Sequence, residues 1–397
     1  LTKRLVPFAT RQQLKVTQTE VSGDDLGKLR KLRGRRCLLM PSHSGGFEPY
    51  IIAGLTHRIG EHCNYLAAME VFERSPVMAW FLPRAGVYSI IRGTADRPSF
   101  KMTKELLAKG KCWLVIFPEG QTVWQNDTVM PFQQGVTQLA FYGLEEGVKA
   151  GGDPHLFCVP IAVKYVYLED MTAEIEASLA RLETRLFPSG GLEPLPVYER
   201  LRRVARAVLA ANEKKYEVEL ADDMGLDDRL QYMKEYAVSR LERRLDIEPP
   251  AGEELLDRIR ALFNKVDKIA VEDEAESEYV RELLWERQRE ATTLYDELWR
   301  VLHLVAIYDG YVRETLSVER FLDVLGIIEM EVFRTRRMWG PRKACVKVGD
   351  PVDLADYREA YRNDRRGTVL ELTLGLEFSV RNMLGSLSAD CQTVSSD

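Results

Sequence analysis

Leu38-Leu39-Met40-Pro41-Ser42-His43-Ser44-Gly45-Gly46-Phe47-Glu48-Pro49 is the stretch on which the rest of the chain turns. A short apolar run ends in a histidine, a glycine pair follows, and a carboxylate stands five positions after the histidine. A catalytic histidine needs that setting: a rigid strand end to fix the ring, and a turn that carries an acid to its second nitrogen. Glu48 at Nδ1 would hold the tautomer and steady the imidazolium formed when Nε2 of His43 takes a proton. By itself His-x-x-x-x-Glu is a weak signal, because acids are common. The neighbouring segments decide its meaning.

From this stretch to residue 168 the chain alternates between apolar strand-like runs and helical periodicity. Strands are predicted at 37–40, 64–68, 87–91, 112–117 and 156–167, the last broken near Pro160. Helices are predicted at 48–59, 72–82, 99–109 and 135–143. In such folds catalytic groups gather at the carboxyl ends of the strands. His43, Arg92 and Glu119 all fall just past strand ends.

Near residue 169 the texture changes to long, charged helical periodicity. Leu255, Ile259, Leu262, Val266 and Ile269 form a short heptad seam. Tyr279–Val305, with Trp285, Leu298, Trp299 and Leu302, supplies another amphipathic element. An antiparallel bundle of four to six helices is predicted, its stripes read as bundle core, with a groove for an acyl chain or a partner helix as the alternative. Strand character returns at Ala344–Pro351, and a last helix is predicted at 366–387 with Val369, Leu372, Leu376 and Val380 along one side. One strand and one helix cannot fold alone, so they complete the first domain.

The fold class is thus α/β, a mostly parallel or mixed sheet flanked by helices and interrupted by a large all-helical insertion. The expected organisation is an N-terminal segment at 1–34, an α/β domain at 35–168 and 338–390, and a helical insertion at 169–337.

Composition narrows the function. The chain has 397 residues, is 45% hydrophobic, and carries a net charge of -6, which argues against a general nucleic-acid binder. Six cysteines stand without CxxC or metal-ligand spacing, which points to buried thiols in a reducing compartment and to no metal. Leu1-Thr2-Lys3-Arg4 is not followed by a signal-peptide core. No apolar run approaches the roughly 18 residues of a membrane span. Lys28-Leu29-Arg30-Lys31-Leu32-Arg33-Gly34-Arg35-Arg36 carries six basic groups and no acid. It reads either as a solvated helix end or as a contact with anionic lipid, where each basic residue is worth on the order of 1 kcal/mol.

Four islands line up in order: His43…Glu48; Gly86–Gly93, a strand ending in Arg92; Phe117-Pro118-Glu119-Gly120; and Val159-Pro160-Ile161-Ala162-Val163. In this order and spacing they resemble the glycerolipid acyltransferases, the 1-acylglycerol-3-phosphate and glycerol-3-phosphate O-acyltransferases. The resemblance covers roughly residues 35–168, and Val346–Pro351 is similar to the strand and turn that close that domain.

The resemblance implies acyl transfer from acyl-CoA or acyl-carrier protein, as co-substrate, to a hydroxyl of a glycerolipid precursor such as lysophosphatidic acid. It needs no cofactor. His43 would be the general base and Glu48 its orienting acid. Arg92 would bind an acceptor phosphate, and Glu119 and Gly120 would help hold the acceptor. Backbone N–H groups of the Ser44-Gly45-Gly46 turn, or of Gly120, would serve the oxyanion. The implied location is cytoplasmic, on the inner face of a membrane, with Lys28–Arg36 at the lipid surface.

Three departures bear on the substrate. Glu48 replaces the family's Asp. Ser42 stands where Asn is usual. Gln121-Thr122-Val123 and Phe132-Gln133-Gln134-Gly135 lack cations that are frequent there. These departures weigh against a glycerol-phosphate acceptor more than against acyl transfer. The competing readings are a different acceptor, a thioesterase on the same scaffold, and a non-catalytic lipid-binding protein.

Overall fold

The computed structural model describes residues 14–73, 75–92, 96–221, 223–271, 278–306, 310–313, 317–335 and 337–388. Readings that fall on residues 1–13, Gly93, Cys391 and the side chain of Trp285 lie outside the described residues. Two compact units form. The first is built from described residues of Leu1–Ile90, Asp96–Glu169 and Met338–Cys391, the second from those of Ile91–Ala95 and Asp170–Arg337.

In chain order the first unit begins with β1 (Val16–Val21), α1 (Gly23–Lys31), β2 (Cys37–Pro41), α2 (Glu48–Arg58) and β3 (Cys63–Ala68). Next come α3 (Met69–Glu73), α4 (Pro76–Arg84), β4 (Val87–Ile90), α5 (Arg97–Lys109), β5 (Trp113–Val115), α6 (Gln134–Lys149) and β6 (Phe157–Tyr167). The second unit is helical: α7 (Thr172–Leu186), α8 (Val197–Lys215), α9 (Leu226–Leu245), α10 (Leu255–Val271), α11 (Glu278–Ala306), the single turn α12 (Gly310–Arg313) and α13 (Val318–Phe333). The chain then returns to the first unit with β7 (Arg342–Val348), β8 (Val352–Asp353), α14 (Arg358–Asn363) and α15 (Arg365–Ser388).

Among the described residues the sheet has eight strands, in the order β1-β7-β6-β2-β5-β3-β4, with β8 also on β6. It is mixed and mostly parallel: among the described residues the antiparallel pairings are those of β7 and β8 with β6, and β1, parallel to β7, therefore also runs opposite to β2–β6. Side chains of β2 alternate between two cores, as the two-residue period of a strand dictates. Leu38 and Met40 enter the layer with Phe141, Leu372, Leu376 and Val380, while Cys37 and Leu39 enter the layer with Ile52, Leu55 and Trp113. All five residues of β2 are buried, so the strand that delivers His43 is anchored on both faces.

Several sequence expectations are corrected. Residues 16–34 are not a separate segment, because β1 pairs in parallel with β7 and Leu26, Leu29 and Leu32 sit in the core. Helix 72–82 is instead two short helices, because Ser75 caps a new start by accepting from the Met78 N–H at 3.2 Å, with Pro76 in the first turn. α6 runs six residues beyond the expected end at Gly143, to Lys149. β6 is not broken at Pro160. The Pro160 carbonyl accepts from Gly349, so its missing donor faces the side where β8 gives way to β7, and the β2 register runs on through Met40 and Pro160.

In the helical unit Ile259, Leu262, Phe263 and Val266 of α10 are fully buried, as are Leu298 and Leu302 of α11. Arginine–carboxylate pairs stitch its half-buried surfaces, among them Arg258 with Glu242 at 2.8 Å and Arg200 with Glu183 at 2.8 Å. Among the described residues no helix is long and apolar enough to cross a membrane.

Candidate active site

β2 ends at Pro41, and the next residues leave the sheet together. Ser42 is fully buried; its hydroxyl accepts from the Val163 N–H at 3.0 Å and so ties the strand end to β6. Ser42 thereby has a structural role. His43 follows. Its ring stacks on Phe117, with centroids 4.1 Å apart and planes at 27°.

The Ser44-Gly45-Gly46 turn, with Gly46 at φ 80°, leads into α2, whose first residue is Glu48. His43 Nδ1 and Glu48 Oε2 are 2.9 Å apart. Glu48 also accepts from the N–H groups of Gly45 at 2.9 Å and Gly46 at 3.0 Å. Burial would raise this carboxyl, but the bonds from His43 and from backbone N–H groups outweigh it and hold Glu48 below the ordinary carboxylate range. Its place at a helix N-terminus acts in the same direction. The histidine is thereby offered a charged, fixed partner. His43 Nε2 has no hydrogen-bond partner among the described residues, and the side chain keeps 19% of its exposure.

Glu119 comes from the turn after β5, and its two oxygens meet backbone donors. Oε1 accepts from the His43 main-chain N–H at 2.6 Å, and Oε2 from the Met130 N–H at 2.7 Å. The side chain is 1% exposed, turned inward as a clamp between three loops and not outward toward an acceptor. Burial pushes its carboxyl up to about 8; the N–H groups of Met130 and His43 pull against that, and the nearby Glu48 charge adds to it. Gly120 closes the turn at φ 74°, its N–H bonded to the Phe117 carbonyl. A Cβ there would collide with the Gln133 amide nitrogen.

Two further expectations change. Of the oxyanion donors suggested by sequence, the N–H groups of the Ser44-Gly45-Gly46 turn and of Gly120, those of Gly45, Gly46 and Gly120 are already committed to Glu48 and to the Phe117 carbonyl. Arg92 lies just past β4, within the second unit, where its Nε bonds Asp267 Oδ2 at 3.0 Å and its guanidinium packs over the Phe263 ring. Its fork is turned onto a carboxylate.

Sequence reasoning missed Asn126, whose amide accepts from the Tyr165 N–H at 2.8 Å and donates to the Tyr165 carbonyl. A buried asparagine thus acts as an extra strand partner for β6. It also missed the buried ion pair of Lys164 with Asp127, which joins β6 to the same loop. An apolar strand carrying one lysine was the available signal.

A histidine–carboxylate couple at a strand end, beside a buried Phe-Pro-Glu-Gly turn, is the geometry that the family comparison meets. Residues 15–164 match the family model described as Acyltransferase. This stretch is a glycerolipid acyltransferase-family domain. The match begins just before β1, which agrees with the strand's place in the sheet, and ends inside β6. No curated protein matches the chain. The match supports acyl transfer as the class of reaction for residues 15–164. It takes in neither the helical unit nor the returning elements β7 to α15.

Proposed function

We propose that the protein transfers a fatty acyl group from a thioester to a hydroxyl of a glycerolipid precursor, with His43 as the general base. The observation that carries this is the 2.9 Å contact of His43 Nδ1 with Glu48, which leaves Nε2 open. The acceptor oxygen attacks the thioester carbonyl while its proton passes to Nε2. The tetrahedral intermediate then expels the thiolate, which takes the proton from the imidazolium, leaving the ester and the free thiol. Glu48 keeps the ring in the required tautomer and stabilises its charge.

Glu119 acts in this reading as a positioning residue through the His43 backbone. Within the 44–46 turn, Ser44 is left with an N–H that has no acceptor among the described residues, and it is the donor we assign to the oxyanion. The reading does not rest on Arg92.

A lipid surface fits the same reading. Arg30, Lys31 and Arg33 of the basic run are exposed. Arg36 is withdrawn from that role: it is 5% exposed, and its guanidinium is spent on the His155, Leu107 and Asp153 carbonyls. α4 adds an apolar element with no buried residue, in which Val77 is 72% and Trp80 55% exposed. The Arg84 guanidinium lies over the Trp80 ring, a pairing suited to the level of lipid headgroups.

Incubation with palmitoyl-CoA and a panel of acceptors, including lysophosphatidic acid and glycerol-3-phosphate, tests the proposal by mass detection of the acylated product. An ester formed by wild type and lost in His43→Ala is expected. Free fatty acid formed equally with and without every acceptor would replace the proposal with thioester hydrolysis.

A further inference from the structure

The outer faces of α5 and α6 enclose a groove of about 630 Å³, within the range of small-molecule sites. Four cations line it, Arg97, Lys101 and Lys104 from α5 and Lys149 from α6, against two acids, Glu145 and Glu146. Both acids are already answered. Glu145 bonds Arg358 at 2.7 Å, and Glu146 stands 3.6 Å from Lys104. Lys101 reaches Glu105 only at 4.0 Å, and neither Arg97 nor Lys149 is in an ion pair among the described residues. The groove is therefore locally positive on a chain whose net charge is -6.

Two aromatic rings stand in the same groove. Phe100 is 36% and Tyr142 46% exposed. Cations beside exposed rings suit a ligand that combines phosphates with a flat base, since every base offers a face for stacking. An acidic protein surface would use the cations and leave the rings without a purpose.

The position along α6 completes the argument. The helix starts at Gln134, next to Gln133, whose amide reaches the Glu119 carbonyl and lies against Gly120. Tyr142 is eight residues and Lys149 fifteen residues further on, or about 12 and 22 Å at the rise of an α-helix. The groove thus lies along the same helix whose start packs against the Gly120 turn.

We propose that the α5–α6 groove seats the nucleotide end of coenzyme A, the 3′-phosphorylated adenosine diphosphate of an acyl-CoA donor. Arg97, Lys101 and Lys149 hold the phosphates, and Phe100 and Tyr142 flank the base. The place of this site in the reaction rests on the acyl-transfer reading; the binding itself does not.

Calorimetric titration with 3′,5′-adenosine diphosphate tests it on the full chain, using wild type, His43→Ala and the double variant Arg97→Glu/Lys149→Glu, each checked for an unchanged melting temperature. Wild type and His43→Ala are expected to bind alike, and the double variant at least tenfold more weakly. Tyr142→Ala gives a second reading free of charge reversal, with a smaller loss. Absence of binding to wild type, or equal binding by the double variant, overturns the proposal. Transfer from an acyl-carrier protein that falls in the double variant, with no nucleotide binding by wild type, overturns it in favour of a protein donor. Nucleotide binding without acyl transfer to any acceptor would leave the groove standing and strike the proposed function.

Discussion

The His43 ring and the Glu48 carboxylate meet at 2.9 Å, and the same carboxylate is held by two N–H groups of the turn between them. The extra methylene of Glu relative to Asp is thus accommodated by where the acid stands, as the first residue of α2. Glu48→Gln turns an amide toward donors that need an acceptor, and it disfavours the imidazolium. Its kcat is expected to fall by about two to four orders of magnitude. Glu48→Asp is expected to lose activity as well, because the shorter side chain retracts from His43. Steady-state kinetics on both variants checks this, and full activity in Glu48→Gln would contradict it.

Glu119 has a different signature. Its folded carboxyl is pushed up to about 8 from an ordinary 4.5, chiefly by burial. Between those values the folded state keeps a proton that the unfolded state releases, so rising pH costs stability across that window and nothing further above it. Glu119→Gln cannot titrate. Wild-type stability measured against Glu119→Gln in urea is expected to decline from pH 5 to pH 8 and then level off. A difference that is flat with pH would contradict the assigned burial.

Gly120 tests the turn. At φ 74° an L-residue is strained by about 1 to 2 kcal/mol, and a Cβ also meets the Gln133 side chain. Gly120→Ala is expected to lower the unfolding midpoint. Gly120→Ala/Gln133→Ala is expected to recover the steric share and leave the backbone share. Denaturant titration of the two variants separates them.

The α4 surface is tested by sedimentation with anionic vesicles. Val77→Asp and Trp80→Ser replace exposed side chains, so both variants are expected to keep the wild-type melting temperature and to pellet less. Unchanged pelleting would remove α4 from the lipid contact and leave Arg30, Lys31 and Arg33 to account for it.

The fold and the heart of the site could be read from sequence where the chemistry is local. β2 is a continuous apolar run, and the acid that serves His43 is five residues away, so strand, turn and couple lie in one short segment. What escaped depends on partners distant in sequence. β1 (Val16-Thr17-Gln18-Thr19-Glu20-Val21) is polar and becomes a strand by pairing with β7, more than three hundred residues later. The sequence neighbours of Glu119 suggest a side chain free for an acceptor, because they do not reveal that its two oxygens meet the His43 and Met130 N–H groups. Arg92 ends a strand as expected, but its partner Asp267 belongs to a helix that no local pattern links to it. Asn126 and Lys164 look like isolated polar residues until β6 and its loop are folded together.

The most direct test of the central claim is thiol release from palmitoyl-CoA, followed with and without lysophosphatidic acid, for wild type and His43→Ala. Release that requires the acceptor and falls by at least a hundredfold in His43→Ala is the expected result. Acceptor-dependent release that persists in His43→Ala at the wild-type rate would contradict His43 as the base, and with it the account of the site.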